Sequence, residues 1–307
     1  MYHFIVNPCS RAGKSKTVWE TVKAELDKKG IEYKAYLTEY PGHATKIADD
    51  ICSENEGVKK IVMMGGDGTA NEVINGLHPY SDVLLGYIPV GSGNDLARGM
   101  KISNDPLTAL DRVLNPKRFQ YVDHGVLNFY DGTRARRFAV SSGIGYDADI
   151  CEEVQRSKLK TFLNKIKLGK LVYLCIAVKQ IITNKPVDVD VLIDGAHRRH
   201  VDRMIFAAAM IQKSEGGGLK MAPNADNADG KLSVCMVHGI SKLKLAIVMP
   251  TILFAKHTKI KGVEIINCAS MEIIAKNGMF LHTDGEVHDK RDHVRFECLP
   301  EQIRMYV

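Results

Sequence analysis

The chain has 307 residues, 45% of them hydrophobic and 25% charged, with a formal net charge of +6 and a pI near 8.8. Those fractions belong to a folded globular protein with room for two domains. The mild excess of positive charge suits nucleotides or anionic lipid headgroups and falls short of a dedicated nucleic-acid binder, so no nucleic-acid partner is expected. Seven scattered cysteines without a C-x-x-C pair exclude a disulfide framework and a zinc site, and point to a reducing cytoplasm. Met1–Pro8 reads as a first strand rather than a signal peptide, and no uncharged apolar stretch reaches the roughly 18 residues of a membrane span.

Strands and helices alternate through residues 1–124. Tyr2–Asn7 is strand-like; Ser15–Lys29 is helical, with Val18, Val22 and Leu26 at i, i+4, i+8 and Gly30 as a stop. Ile31–Thr38 is extended, Ala44–Glu54 helical, Lys60–Met64 a buried strand and Thr69–Leu77 helical. Leu84–Val90, Asn94–Met100, Pro106–Leu114 and Phe119–Val122 continue the alternation. This order predicts a three-layer α/β domain around a mostly parallel sheet, whose ligands bind at the carboxyl ends of strands.

Three small, polar, glycine-bearing loops fall at that edge: Asn7–Ser15, Gly65–Thr69 and Gly91–Asp95. In Gly65-Gly66-Asp67-Gly68-Thr69, glycines allow a ligand close to the backbone, and the free N–H groups of a helix start point at it. Thr69 is a candidate N-cap or phosphate donor. Asp67 would repel a phosphate unless a divalent cation lay between them, which suggests a metal–nucleotide complex. Two other phosphate motifs fail. Gly13-Lys14-Ser15 has Pro8 where a Walker A loop needs glycine, and Gly91-Ser92-Gly93 leads to Leu96 where a dinucleotide fingerprint needs glycine.

Residues 125–307 change character. Val187, Val189, Val191 and Ile193 alternate with polar residues, and Arg137–Ser141, Met204–Met210, Leu232–His238, Val263–Ile266, Met271–Ala275 and Val294–Cys298 are further strand candidates. Short strands with polar turns predict an antiparallel β-sandwich. Two basic amphipathic segments interrupt them. Arg156–Lys185 carries Lys158, Lys160, Lys165, Lys167 and Lys170 among Leu159, Phe162, Leu163, Ile166 and Leu168, and Ser241–Lys261 repeats the theme more weakly. Such helices lie on anionic bilayers or pack on a sandwich with solvated lysines.

Gly65-Gly66-Asp67-Gly68-Thr69-x-Asn71-Glu72, followed by Gly91-Ser92-Gly93-Asn94-Asp95-Leu96-Ala97-Arg98, resembles the catalytic domain of the diacylglycerol kinase family. Asn7-Pro8, Thr38-Glu39, Val122-Asp123, Pro223-x-Ala225-x-x-x-Asp229-Gly230-x-Leu232 and Thr283-Asp284-Gly285-Glu286 extend the resemblance over nearly the whole chain. It implies an ATP- and Mg²⁺-dependent lipid kinase, with residues 1–124 binding ATP and residues 125–307 binding the lipid. Diacylglycerol is the default acceptor; sphingosine, ceramide and phosphatidylglycerol are alternatives. By the same resemblance Asn7, Ser10, Gly13, Thr38, Gly66, Asp67, Gly68, Thr69 and Ser92 hold ATP, with Asn71 and Glu72 lining the pocket. Asp67, Asp95 and Asp123 form the carboxylate network around catalytic Mg²⁺. Asp229, with backbone oxygens of Asp226 and Lys231, forms a second, structural Mg²⁺ site, and the base comes from Asp284 or Glu286. The implied setting is the cytoplasmic face of an anionic membrane, and a homodimer is left open.

Spacing alone reads differently at some of these positions. The Asp-Gly pairs at Asp131, Asp194 and Asp284 look like hairpin turns. The eleven histidines show no ligand spacing, and Trp19 reads as core packing. A lipid-binding protein with an inactive nucleotide domain, and a sugar or NAD kinase acting without a membrane, are the competing readings.

Overall fold

The computed structural model describes residues 1–306 apart from 12, 55–56, 80, 157–178 and 184. In chain order the first part runs β1 (Tyr2–Val6), α1 (Lys14–Lys28), β2 (Tyr33–Leu37), α2 (His43–Ser53), β3 (Lys59–Gly65), α3 (Asp67–Gly76), β4 (Val83–Pro89), α4 (Asp95–Gly99) and α5 (Pro106–Leu114). The four strands are parallel in the order β2-β1-β3-β4. Phe4–Val6 and Ile61–Met64 are fully buried, as an inner parallel strand covered on both faces requires. Trp19, Val22 and Leu26 bury the inner face of α1, and α2 packs on α3. Because β2 and β3 lie on opposite sides of β1, the loops after β1 and β3 diverge. In open α/β sheets that divergence, at the carboxyl edge, is where the ligand crevice lies.

The second part comprises β5 (Phe119–Phe129), β6 (Arg136–Phe138), β7 (Ser141–Gly145), α6 (Tyr146–Arg156), β8 (Val187–Ile193), β9 (His197–Met210), β10 (Leu232–His238), α7 (Lys242–Ile252), β11 (Val263–Cys268), β12 (Ser270–Thr283) and β13 (Glu286–Tyr306). Its strands pair antiparallel around a core that includes Leu127, Phe138, Met204, Leu281 and Phe296. The α/β-plus-sandwich architecture expected from periodicity therefore holds. On β8, Val189 and Val191 are buried while Asp188 is exposed, the period-two pattern of a half-buried strand. The long strands β9, β12 and β13 change partners along their length through register shifts. Such irregularities let a strand turn the corner between sheet layers. The end of β13 returns to the first part, where Arg304 and Met305 pair in parallel with Leu84 and Leu85 of β4.

Some boundaries differ from the sequence reading. The expected strand Arg137–Ser141 is broken, because Ala139, Val140 and Ser141 turn their N–H groups toward the Asp284 carboxylate instead of a strand. Helix α6 was not anticipated. Of the basic segment Arg156–Lys185, residues 157–178 and 184 lie outside the described residues. Among those described, no helix is long and apolar enough to cross a membrane.

One contact tests the packing of β5 against β6 in the sandwich. A Cβ on Gly125 of β5 would stand 1.9 Å from the ring of the fully buried Phe138. Gly125→Ala should lower unfolding stability by roughly 1–3 kcal/mol, measured by urea denaturation; an unchanged midpoint contradicts this packing.

Candidate active site

The loops after β1, β3 and β4 meet at the crevice. Asn7 follows β1; its N–H donates to Met64 O at 2.9 Å and its Nδ2 donates to Thr69 Oγ1 at 3.1 Å. Gly66 and Gly91 touch backbone to backbone, a Cβ on Gly91 falling 2.5 Å from Gly66 Cα. Only glycine at Gly91 allows the β3 and β4 loops this approach. The N-cap of α3 is Gly66, without a capping side chain, and nothing lies within 4 Å of where a Cβ of Gly68 would stand. The first N–H groups of α3 thus face open space, the arrangement that receives an anion. Thr69 is not the cap: it lies inside the first turn, its hydroxyl accepting from Asn7. Ser10 and Gly13 lie in the turn before α1, whose cap Gly13 has φ 87°, and exposed Ser92 lies in the β4 loop. Thr38 follows β2 at the same edge, its N–H bonded to Val6 O at 2.9 Å.

Asp67 stands at the centre. Its Oδ2 accepts from Asp95 N at 3.0 Å and its Oδ1 from Leu96 N at 3.1 Å, so the first residue of α3 caps the start of α4. Burial raises its pKa to about 6; the two N–H groups oppose this, and the charges of Asp95 and Asp284 add to the rise. Asp95 accepts from Arg98, from Ser214 Oγ at 3.2 Å and from Gly217 N at 2.6 Å. Gly93 lies over both acids: a Cβ there would come within 3.1 Å of Asp67 Oδ2 and 3.3 Å of Asp95 Oδ2.

One turn along α3, Asn71 joins this cradle to the sandwich. Its Nδ2 donates to Asp284 Oδ2 at 2.8 Å. The same oxygen accepts from Ala139 N at 2.8 Å, and Oδ1 accepts from Val140 N at 2.8 Å and Ser141 N at 2.9 Å. Two acceptor sites on each carboxylate oxygen are thereby filled. Burial pushes the Asp284 carboxyl up, while these donors pull it down. Asp284 and Gly285, with φ 49° and 83°, form the tight turn between β12 and β13, so the hairpin reading and the site reading coincide at one residue. Glu286, next on β13, is exposed.

Other expected site residues lie elsewhere. The Glu72 carboxylate accepts from Ala44 N at 3.1 Å, at the start of α2. Asp123 is buried and tied to the loop at 226–231: its Oδ2 accepts from Gly230 N at 2.7 Å and its N–H donates to Asn227 O at 2.8 Å. Exposed Asp226 and Asp229 accept from Ala228 N at 3.2 Å and Lys231 N at 3.0 Å, and Lys231 is exposed too. These are local turns that aspartate forms without a metal. Ser214 and Gly217, which hold Asp95, had escaped notice; the run Gly216-Gly217-Gly218 was the available signal.

The diacylglycerol kinase catalytic domain matches residues 1–125, and the YegS C-terminal NAD kinase beta sandwich-like domain matches residues 139–307. The chain belongs to the diacylglycerol kinase family. It is 30% identical over 289 residues, 93% of each chain, to YtlR of Bacillus subtilis (strain 168), provisionally named a lipid kinase. A diacylglycerol kinase of Staphylococcus aureus (strain bovine RF122 / ET3-1) is 29% identical over 287 residues, 93% of this chain and 86% of its own. A crystal structure of a provisionally named diacylglycerol kinase from Bacillus anthracis str. Sterne superposes with a TM-score of 0.77 at 21% identity, covering 99% of this chain and 94% of that one. By family this diacylglycerol kinase relative is a lipid kinase, as the resemblance implied.

The lone pairs of Asp284 and Glu286 separate their roles. Asp284→Ala strands three backbone donors and should cost at least about 2 kcal/mol of stability, read as a lower thermal midpoint together with lost turnover. Glu286→Gln, at an exposed position, should leave the midpoint unchanged. Equal midpoints for wild type and Asp284→Ala would refute the role of these hydrogen bonds in holding the two halves together.

Proposed function

We propose that the protein transfers the γ-phosphate of ATP to the hydroxyl of a membrane lipid, diacylglycerol in the first instance, to give phosphatidic acid. The observation that carries this reading is the joining of the Gly66–Gly91 cradle and Asp67 to the sandwich through Asn71 and Asp284. Phosphoryl transfer asks mainly for phosphates held in line, charge neutralised and a nearby proton acceptor. The open first turn of α3 and the Asn7 loop would take the phosphates. Residues 1–124 would bind the nucleotide and residues 125–307 the acceptor.

The acids fit a hard divalent cation such as Mg²⁺. Asp67 keeps a free lone pair on each oxygen, and its raised pKa reports an anion short of positive partners. Mg²⁺ would supply neutralisation of the charge that develops on the phosphates. Asp67 and Asp95 would hold it, and Asp67 would hold α4 in register while doing so. Asp284, with its acceptor sites filled, would position Asn71, leaving Glu286 free to accept the proton of the lipid hydroxyl.

Approach to a membrane is supported by α7 and the turn after it. Leu243, Ile247 and Phe254 are 76%, 60% and 70% exposed, while Leu245, Val248 and Ile252 bury the opposite side. Lys242, Lys244, Lys256, Lys259 and Lys261 surround them, and no acid lies between Gly239 and Val263. An apolar ridge ringed by lysines matches an anionic bilayer surface.

Two measurements test this function. Wild type should label diacylglycerol from radiolabelled ATP in mixed micelles, in a panel with sphingosine, ceramide and phosphatidylglycerol, and Asp67→Asn should not. Absence of labelling on every lipid would sink the proposal. Replacing Ile247 and Phe254 together with glutamate should weaken sedimentation with phosphatidylglycerol vesicles about tenfold or more, with turnover of a dispersed short-chain substrate unchanged. Unaltered sedimentation would remove α7 from the membrane contact.

A further inference from the structure

Beside the Asp95 carboxylate lies a cluster that phosphoryl transfer does not use. Asp147 in the first turn of α6, Glu215 before the triple glycine and His282 near the end of β12 bring one ligand atom each to within 4.8 Å of one another. His282 Nε2 lies 2.7 Å from Asp147 Oδ2. The approach depends on Gly143 of β7, where a Cβ would fall 2.4 Å from Asp147 Oδ2 and 2.5 Å from His282 Nε2. The other ring nitrogen of His282 makes only a long contact, 3.3 Å from Gly285 N.

Glu215 is the residue that calls for a ligand. It is 7% exposed, and neither carboxylate oxygen has a well-formed hydrogen bond, although Ser141 lies close enough to favour its charge. A buried carboxylate without donors, facing a second carboxylate, is costly and rare. Burial and the Asp147 charge push Glu215 up to about 8. For His282 burial opposes the charge, yet Asp147 and Glu215 bring its pKa up to about 9.

We propose that Asp147, Glu215 and His282 form a site for a divalent transition-series cation, Mn²⁺ or Zn²⁺, separate from the cation that accompanies the nucleotide. One imidazole and two carboxylates are the mixed nitrogen–oxygen donor set such ions take, whereas Mg²⁺ prefers oxygen alone. The separation is chemical, since Asp67 and Asp95 offer no nitrogen. Ser214 and Gly217 flank Glu215 and both bond to Asp95. A cation on Glu215 therefore steadies the loop that holds Asp95, and the site is structural rather than part of the transfer step.

Mn²⁺ is the probe. The nucleotide-free full chain should bind it with a pulsed EPR signature of one coupled nitrogen, and binding should raise the thermal midpoint. Glu215→Gln, which keeps the shape, should weaken Mn²⁺ affinity about a hundredfold or more, given that losing even an outer partner of a metal ligand costs 10–100-fold. His282→Asn should abolish the nitrogen coupling. Mn²⁺ bound without nitrogen coupling, or with equal affinity by Glu215→Gln, would overturn the site whether or not the protein phosphorylates lipid.

Discussion

Two helix starts compete for one carboxylate in this protein, and the site depends on how that is resolved. Asp67 opens α3 and at the same time accepts the first N–H groups of α4. A short helix such as α4 has little intrinsic stability, so its position is set from outside, by Asp67. The positive end of α3 remains without a side-chain cap, directed into open space beside Gly68. Partial burial, with the charges of Asp95 and Asp284 beside it, raises the Asp67 pKa to about 6. Unrelieved charge of this kind collects where a ligand completes the structure.

Coupling between the two halves rests on a second carboxylate. Asp284 gathers Asn71 from α3 and three N–H groups from the Ala139–Ser141 segment. A hairpin turn with positive φ at both residues presents that side chain at a fixed angle. The return of β13 to pair with β4 fixes the same two halves at the sheet. The glycine loops and the sandwich are therefore tied together at two places, which suits a reaction that needs donor and acceptor aligned.

Much of this was legible because it is local. The strand–glycine–helix turn at Gly65–Thr69 carries its own spacing, and the buried alternation of β8 carries its own period. Contacts between distant residues were not legible. Nothing in the neighbourhood of Glu72 says that its carboxylate caps α2, and nothing near Asp123 says that it joins Gly230. The break between β6 and β7 escaped because its cause, Asp284, lies more than a hundred residues away in the chain. Asp147, Glu215 and His282 are likewise distant from one another in the chain, so no ligand spacing exists to be read. Family resemblance supplied the register that lifted Asp67 and Asp284 above ordinary Asp-Gly turns. It also carried Asp226 and Asp229 toward a metal role; both are exposed, and each accepts a backbone N–H from two residues on.

The central claim is that Asp67 joins the nucleotide's phosphates to a divalent cation. Calorimetric titration of a non-hydrolysable ATP analogue, with and without Mg²⁺, tests it most directly. Mg²⁺ should tighten binding to wild type about tenfold or more, and Asp67→Asn should lose that increment while keeping its Mg²⁺-free affinity. An equal response to Mg²⁺ in both proteins would contradict the claim.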